Sequence, residues 1–401
     1  MKQNYDFYGY FTSNIMIYKI VGFWRPDEDM KFKKLYNCYT AFCTLAWMAF
    51  LLSEIIYITN NRKNVQEITA ALYVTGTFTI DFIQMIFTYK NMNHLKILMK
   101  EMNRTLFQVK CREHYRIAEN TKRTYNVLFK SCLYLALLTA VFVMIVPLVG
   151  KERATSIKGW FPYDWTKPLY FALTYIFQNL VFIWNALICS NFATFTSALL
   201  MQVGLQCDLL CCTLDSLDDF YTEDDVLYEI SLENKKKLRK DEERFSEAMT
   251  KNLVVCIEHH RQIMRVTKNI EQICGTSIFI LFIGGTLILC SSLFQLSVVK
   301  VGSVESVMLL LYLICMIVDQ LCYSWFGNEV ICKSSLILQS AYKTPWVDCN
   351  IKFRKILLQF MTQTCQPISI LTGGLFTMSV QVFVSIMRTA YSYFTLLKNI
   401  Q

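Results

Sequence analysis

The sequence predicts an all-α, polytopic membrane protein with seven transmembrane helices, an intracellular N-terminus and a cytoplasmic helical anchor bundle. Three observations predict it. Only 18% of the 401 residues are charged and 54% are apolar or aromatic, with a mean hydropathy of +0.32; a soluble domain carries about 25% charged residues. Uncharged runs of 40 residues between Lys167 and Asp208 and of 28 between Glu271 and Lys300 exceed the roughly 20 residues that cross a bilayer. Lys and Arg, finally, collect in alternate loops.

The spans follow in chain order. A segment at 1–37 precedes four spans within 38–200, at about 38–58, 68–89, 127–149 and 169–200. Glu54 interrupts the first and Asp81 the second, which softens their boundaries. A long loop at 201–273 leads to two spans within 274–326, at 274–299 and 304–326. Residues 327–366 form a cytoplasmic anchor helix, and the last span, about 375–397, lies in the terminal stretch 367–401. Pro367 and the Gly373-Gly374 pair argue against one unbroken helix there. With the N-terminus inside, the inner segments hold 30 Lys and Arg and the outer ones 8. Excess basic residues mark cytoplasmic loops, so the C-terminus lies outside. That is opposite to a G-protein-coupled receptor, and neither an Asp-Arg-Tyr after span three nor an Asn-Pro-x-x-Tyr in span seven is present.

Span four is too long for the membrane alone. Forty uncharged residues make a helix of about 60 Å, twice the ~30 Å hydrocarbon core. Its surplus, about Ala198 to Leu214, needs apolar cover in the cytosol. Leu238, Phe245, Met249, Leu253, Ile257, Met264 and Ile270 recur at helical spacing, and 330–366 adds Leu336, Phe353, Leu357 and Phe360. Both fit a bundle below the membrane, a natural meeting place for subunits. The mixed-sign run 235–244 reads as a solvated face.

Little in the chain suggests catalysis. The four histidines (His94, His114, His259, His260) fall in cytoplasmic segments, and no H-E-x-x-H, G-x-S-x-G or P-loop occurs. None of the 16 cysteines lies in the outer stretches 59–67, 150–168 or 300–303, so disulfides are not expected. Cysteine spacing suits no zinc site, and adjacent His259 and His260 point about 100° apart on a helix. We therefore expect no enzyme activity, cofactor or metal. The net charge of +9 belongs to loops rather than to a nucleic-acid surface. Asp81 and Asp319 sit in or near spans. Intramembrane carboxylates are functional candidates, with pairing to polar neighbours as the alternative.

Three stretches resemble the insect odorant receptor family. They are GWFPYDWTKPLYFALTYIFQ (159–178), CYSWFGNEV (322–330) followed by SSLILQSAYKTPWVD (334–348), and QPISILTGGLFTMSVQVFVSIMRTAYSYFTLL (366–397), with VCIEHHRQIM (255–264) as a weaker fourth. The resemblance runs from about 159 to the end, while 1–150 matches mainly in spacing. It implies a tuning subunit of an odorant-gated, non-selective cation channel in the plasma membrane of a sensory neuron. Four subunits would surround a pore, joined by the anchor bundle, with the shared co-receptor as partner. The co-receptor itself is longer, and the gustatory branch has a terminal pattern that YSYFTLLKNIQ does not reproduce. A gustatory-type channel is the alternative reading, with a G-protein-coupled receptor or a transporter behind it.

A pocket for a small volatile ligand should be mostly apolar and aromatic. By family analogy it lies among the outer halves of spans two, three, four and six. The candidates there are Tyr73, Phe78, Phe142, Val146, Tyr175, Gln178 and Tyr312. On the last span Thr389, Ser392, Leu396 and Ile400 lie close to one helical face. The resemblance puts Leu396 and Ile400 at the family's hydrophobic gate, with Asn399 between them, and such an apolar ring closes a pore by dewetting. Arg388 departs from the family pattern, which has a small or apolar residue there.

Overall fold

The computed structural model describes residues 5–26, 32–149, 157–223, 226–231, 233–235 and 241–400, without the side chains of 65, 66, 399 and 400. Ten α-helices carry these residues. A short helix α1 (Thr12–Val21) precedes α2 (Lys33–Asn60) and α3 (Val65–Lys90). Then come α4 (Met92–Glu101), α5 (Arg112–Val149) and α6 (Pro168–Asp215). After a hairpin, β1 (Phe220–Glu223) with β2 (Val226–Glu229), follow α7 (Glu242–Val298), α8 (Val304–Lys343) and α9 (Ile351–Thr364). A second hairpin, β3 (Leu371–Thr372) with β4 (Phe376–Thr377), leads into α10 (Val380–Ile400).

Local sequence explains several starts. Pro168 opens α6 at a position where its missing N–H costs nothing. The Asp241 carboxylate accepts from Arg244 N (3.2 Å), Ser303 Oγ from Ser306 N (3.1 Å) and Asn350 Oδ1 from Phe353 N (2.9 Å). Each satisfies one of the donors that a helix start leaves free.

Six helices are long and apolar enough to cross a membrane: α2, α3, α5, α6, α7 and α8. Two of them continue far beyond it. At 1.5 Å per residue, α6 with 48 residues spans about 72 Å and α7 with 57 residues about 85 Å. From Glu242 on, the amphipathic segment expected at 238–273 and span five are thus one continuous helix, Leu238 lying outside the described residues. The extensions of α6, α7 and α8 pack with α9 into a bundle at one end of the molecule. Inside it Lys333 of α8 reaches Asp208 of α6 (2.7 Å) and Glu329 of its own helix (2.8 Å).

Two features depart from the expected boundaries. The seventh helix starts at Val380 rather than 375, because 371–377 form the β3–β4 hairpin. Gly373 and Gly374 have φ of 58° and 72°, a left-handed turn that glycine adopts without strain. At Gly373 any Cβ would also press into the Phe279 ring at 2.7 Å. The N-terminal segment, moreover, is no simple tail. Phe7, Tyr10, Phe11, Tyr18 and Trp24 are buried, and α1 lies along α6. Asn14 Nδ2 donates to Asn191 Oδ1 (2.9 Å) and Thr194 Oγ1 (3.0 Å) of α6.

Candidate ligand cavity and last helix

A cavity lies among α3, α5, α6 and α8, with about 590 Å³ of space between its atoms counting its open side. Within it about 50 Å³ is open to the centre of a water-sized sphere, so a larger ligand needs the walls to move apart. Val74, Thr77 and Phe78 line it from α3, Leu135 and Thr139 from α5, Phe182, Asn185 and Cys189 from α6, and Tyr312, Met316 and Asp319 from α8. These are spans two, three, four and six. Along α6 the lining residues are 182–190, where the sequence reading looked at 169–180. The cavity is therefore two to three helical turns deeper.

The candidate residues fall in different places. Phe78 and Tyr312 line the cavity. Phe78 packs against Phe50, the rings tilted by 41° with centroids 4.7 Å apart, which holds its ring as a wall. The Tyr312 hydroxyl donates to Tyr73 O (3.0 Å) and pairs with Thr77 Oγ1, so it presents ring rather than free hydroxyl. Tyr73 sits edge-on to Tyr312 (5.1 Å), just outside the lining. Tyr175 donates to Met144 O (2.7 Å) and Gln178 Nε2 to Ile157 O (2.7 Å). Both act as struts toward the 157–168 end. Phe142 and Val146 are partly buried against the core and do not border the cavity.

The cavity floor is polar. Asn185 Nδ2 donates to Asp81 Oδ2 (2.9 Å), and Cys189 Sγ donates to Asp319 Oδ2 (3.1 Å). Both carboxylates are buried, Asp81 at 1% exposure. Asp81 and Asp319 thus pair with polar neighbours, and Asp319 with Asn185 also borders the cavity. The sequence reading had not joined them to a pocket. The available signal was their placement in otherwise apolar spans.

The last helix differs from the other six. It packs on α7 and α8 through residues such as Ile386 and Ala390. Gln381, Ser385, Arg388, Thr389, Ser392 and Leu396 are exposed. Their spacing places them along one broad side of the helix. Leu396 is 57% exposed. The side chains of Asn399 and Ile400 lie outside the described residues.

A third cluster joins two helices in the bundle half of the molecule. Cys111, just before α5, His114 on its first turn and Cys212 near the end of α6 bring their ligand atoms within 4.8 Å of one another. Cys111 Sγ accepts from His114 N (3.5 Å). A structural zinc site uses four protein ligands, and among the described residues no fourth joins these three. Their chemistry is that of an activated thiol. The Cys212 thiol beside it, with His114, holds Cys111 below the usual thiol range, while Cys212 is pushed up by the same pairing. Both thiols border an open cleft. Labelling of Cys111 by a water-soluble thiol reagent, read by peptide mass, should therefore fall less steeply as the pH is lowered from 8 than labelling of an ordinary exposed thiol does. An ordinary thiol loses about tenfold per pH unit below its pKa, and that behaviour would refute the pairing. His259 and His260 point apart: His259 Nε2 meets Gln206 Oε1 (3.0 Å) and His260 packs on Phe360. Burial, with Lys110 nearby, holds His259 well below the usual histidine range, hence neutral.

Comparison with known proteins fits this arrangement. A family model described as 7tm Odorant receptor matches residues 64–391. Odorant receptor Or1 of Anopheles gambiae is 21% identical, with 99% of this chain and 97% of that receptor aligned. Odorant receptor 46a, isoform B, of Drosophila melanogaster is also 21% identical over 98% of each. Among solved structures, the olfactory receptor OR5 of Machilis hrabei in complex with eugenol superposes with a TM-score of 0.83. Its identity is 15%, and 98% of each chain is covered. The family match spans most of the chain, and the long apolar helices and their packing are of the same kind. The protein is a multi-pass membrane protein that belongs to the 7tm odorant receptor family.

Proposed function

We propose that the chain is the odorant-binding subunit of a heteromeric, odorant-gated, non-selective cation channel. It assembles with the family's co-receptor as a tetramer in the plasma membrane of a sensory neuron. A small volatile molecule enters the cavity among α3, α5, α6 and α8, and α10 contributes to the pore. The observation that carries this reading is the exposed polar side of α10. Gln381, Ser385, Arg388, Thr389 and Ser392 on a helix of a membrane domain are costly against lipid. They are tolerable beside a water-filled path shared with other subunits. Eugenol bound to the related Machilis receptor supports a small-molecule ligand for this chain. Leu396, farther along that side, is the apolar residue placed to narrow such a path.

The test is electrical. Cells expressing this chain with the co-receptor should pass odorant-evoked cation current without GTP, and cells expressing the co-receptor alone should lack that odorant's response. Leu396→Ser should add odorant-independent current, because a wetted constriction favours conduction. A G-protein requirement would refute the channel. Reduced current without leak at normal surface expression would place Leu396 in helix packing and not at the gate.

A further inference from the structure

The polar groups around the cavity are almost all spoken for, and those left over share one character. The Thr77 and Tyr312 hydroxyls are occupied by each other and by the Tyr73 carbonyl. Thr139 donates to Leu135 O (2.9 Å). The Asn185 amide donates to Asp81 Oδ2 at 2.9 Å, which orients it. Its Oδ1 is then the remaining polar atom of a side chain only 4% exposed, and it has no partner. Asp319 takes one hydrogen bond, from Cys189, on one of its two oxygens. A carboxylate accepts at about four sites. Among the described residues no Lys, Arg or His lines the cavity.

From this imbalance we infer that the odorant taken by this cavity is a hydrogen-bond donor, an alcohol, phenol or amine on an apolar skeleton, docked at Asn185 and Asp319. This rests on the reading of the cavity as the odorant site. The skeleton packs on Phe78, Phe182 and Tyr312, where apolar contact is generic. The donor is what discriminates. A buried acceptor left unpaired by the wrong ligand penalises binding more than a missing methylene does. Ethers lack the proton and leave Asn185 Oδ1 orphaned. Carboxylic acids must give up hydration to enter an apolar cavity and meet no cation there to offset their charge.

The inference is tested in cells co-expressing the full chain and the co-receptor. Linear and aromatic skeletons of six to ten carbons are each offered as the alcohol, the primary amine, the methyl ether and the carboxylic acid. For every skeleton that activates, the alcohol or amine should have an EC50 roughly 10–100-fold below that of the methyl ether. The acid should be inactive. Asp319→Asn should reduce the amine response more than that of the alcohol on the same skeleton, and this comparison does not depend on expression level. Should Asp319→Asn fail to reach the surface, the wild-type ranking alone decides. Ethers as potent as alcohols, or acids among the agonists, overturn the inference while leaving the receptor reading intact. Surface-expressed complexes that answer no compound, in this series or in a broad odorant panel, overturn both.

Discussion

Asn14→Ala is expected to cost the folded protein on the order of 3 kcal/mol, enough to remove most detergent-stable material. Asn14 is fully buried, and three side chains depend on it. It donates to Asn191 Oδ1 at 2.9 Å and to Thr194 Oγ1 at 3.0 Å, and its own Oδ1 accepts from the Tyr125 hydroxyl. Asn191 Nδ2 returns a bond to Asn14 O (3.2 Å). Alanine leaves Asn191 Oδ1 and the Tyr125 hydroxyl without these partners, where each orphaned buried group costs about 1–3 kcal/mol. Because the network ties α1 to α5 and α6, its loss should release the N-terminal segment, seen as protease sensitivity before residue 25. Ser13→Ala on the same helix, where the side chain is exposed, is the matched control and should be neutral. Equal thermal stability of the two variants by fluorescence-detected size exclusion would show that the network contributes nothing.

Gly327→Ala should be the second most damaging single change. Gly327 lies in α8 where the chain passes just before α10. A Cβ there would sit 2.4 Å from Met378 Cβ and 2.7 Å from Met378 O. These are atoms close to or in the backbone, so no rotamer change relieves the contact. Met378 N also donates to Ile370 O (2.9 Å), which binds the segment to its hairpin. Overpacking of this kind costs about 1–3 kcal/mol. The displaced part is the start of α10, so gating should change along with stability. We expect a melting temperature lowered by a few degrees and, in the protein that survives, an altered odorant-independent current. A variant with wild-type stability and wild-type basal current would mean that the two backbones are free to separate.

The contrast between these two positions marks how far the linear pattern reaches. Gly327 stands in CYSWFGNEV, a stretch whose resemblance to a family was readable, yet nothing nearby in sequence says what it approaches. Met378 is 51 residues away, and only the folded chain brings it under α8. Asn14 was still less legible. A polar residue in the segment before the first span carries no sign of its partners until α6 supplies Asn191 and Thr194.

The membrane spans belong to the other category. Uncharged runs and basic loops are local, one-dimensional consequences of the cost of placing charge in hydrocarbon, so 168–207 and 272–299 announce their helices unaided. Helix length is equally local, which is why the surplus of α6 below the membrane and the amphipathic start of α7 could be read from spacing. Depth along a helix is different. Whether a cavity opens beside residue 178 or residue 185 depends on where four helices fail to fill the space between them, and that is set by side-chain volumes on all four at once. Tyr175 and Gln178 therefore became struts, while Asn185 and Asp319 became the polar floor. The Cys111, His114 and Cys212 cluster follows the same rule: about a hundred residues separate its two halves, and the packing of α5 against α6 makes them neighbours.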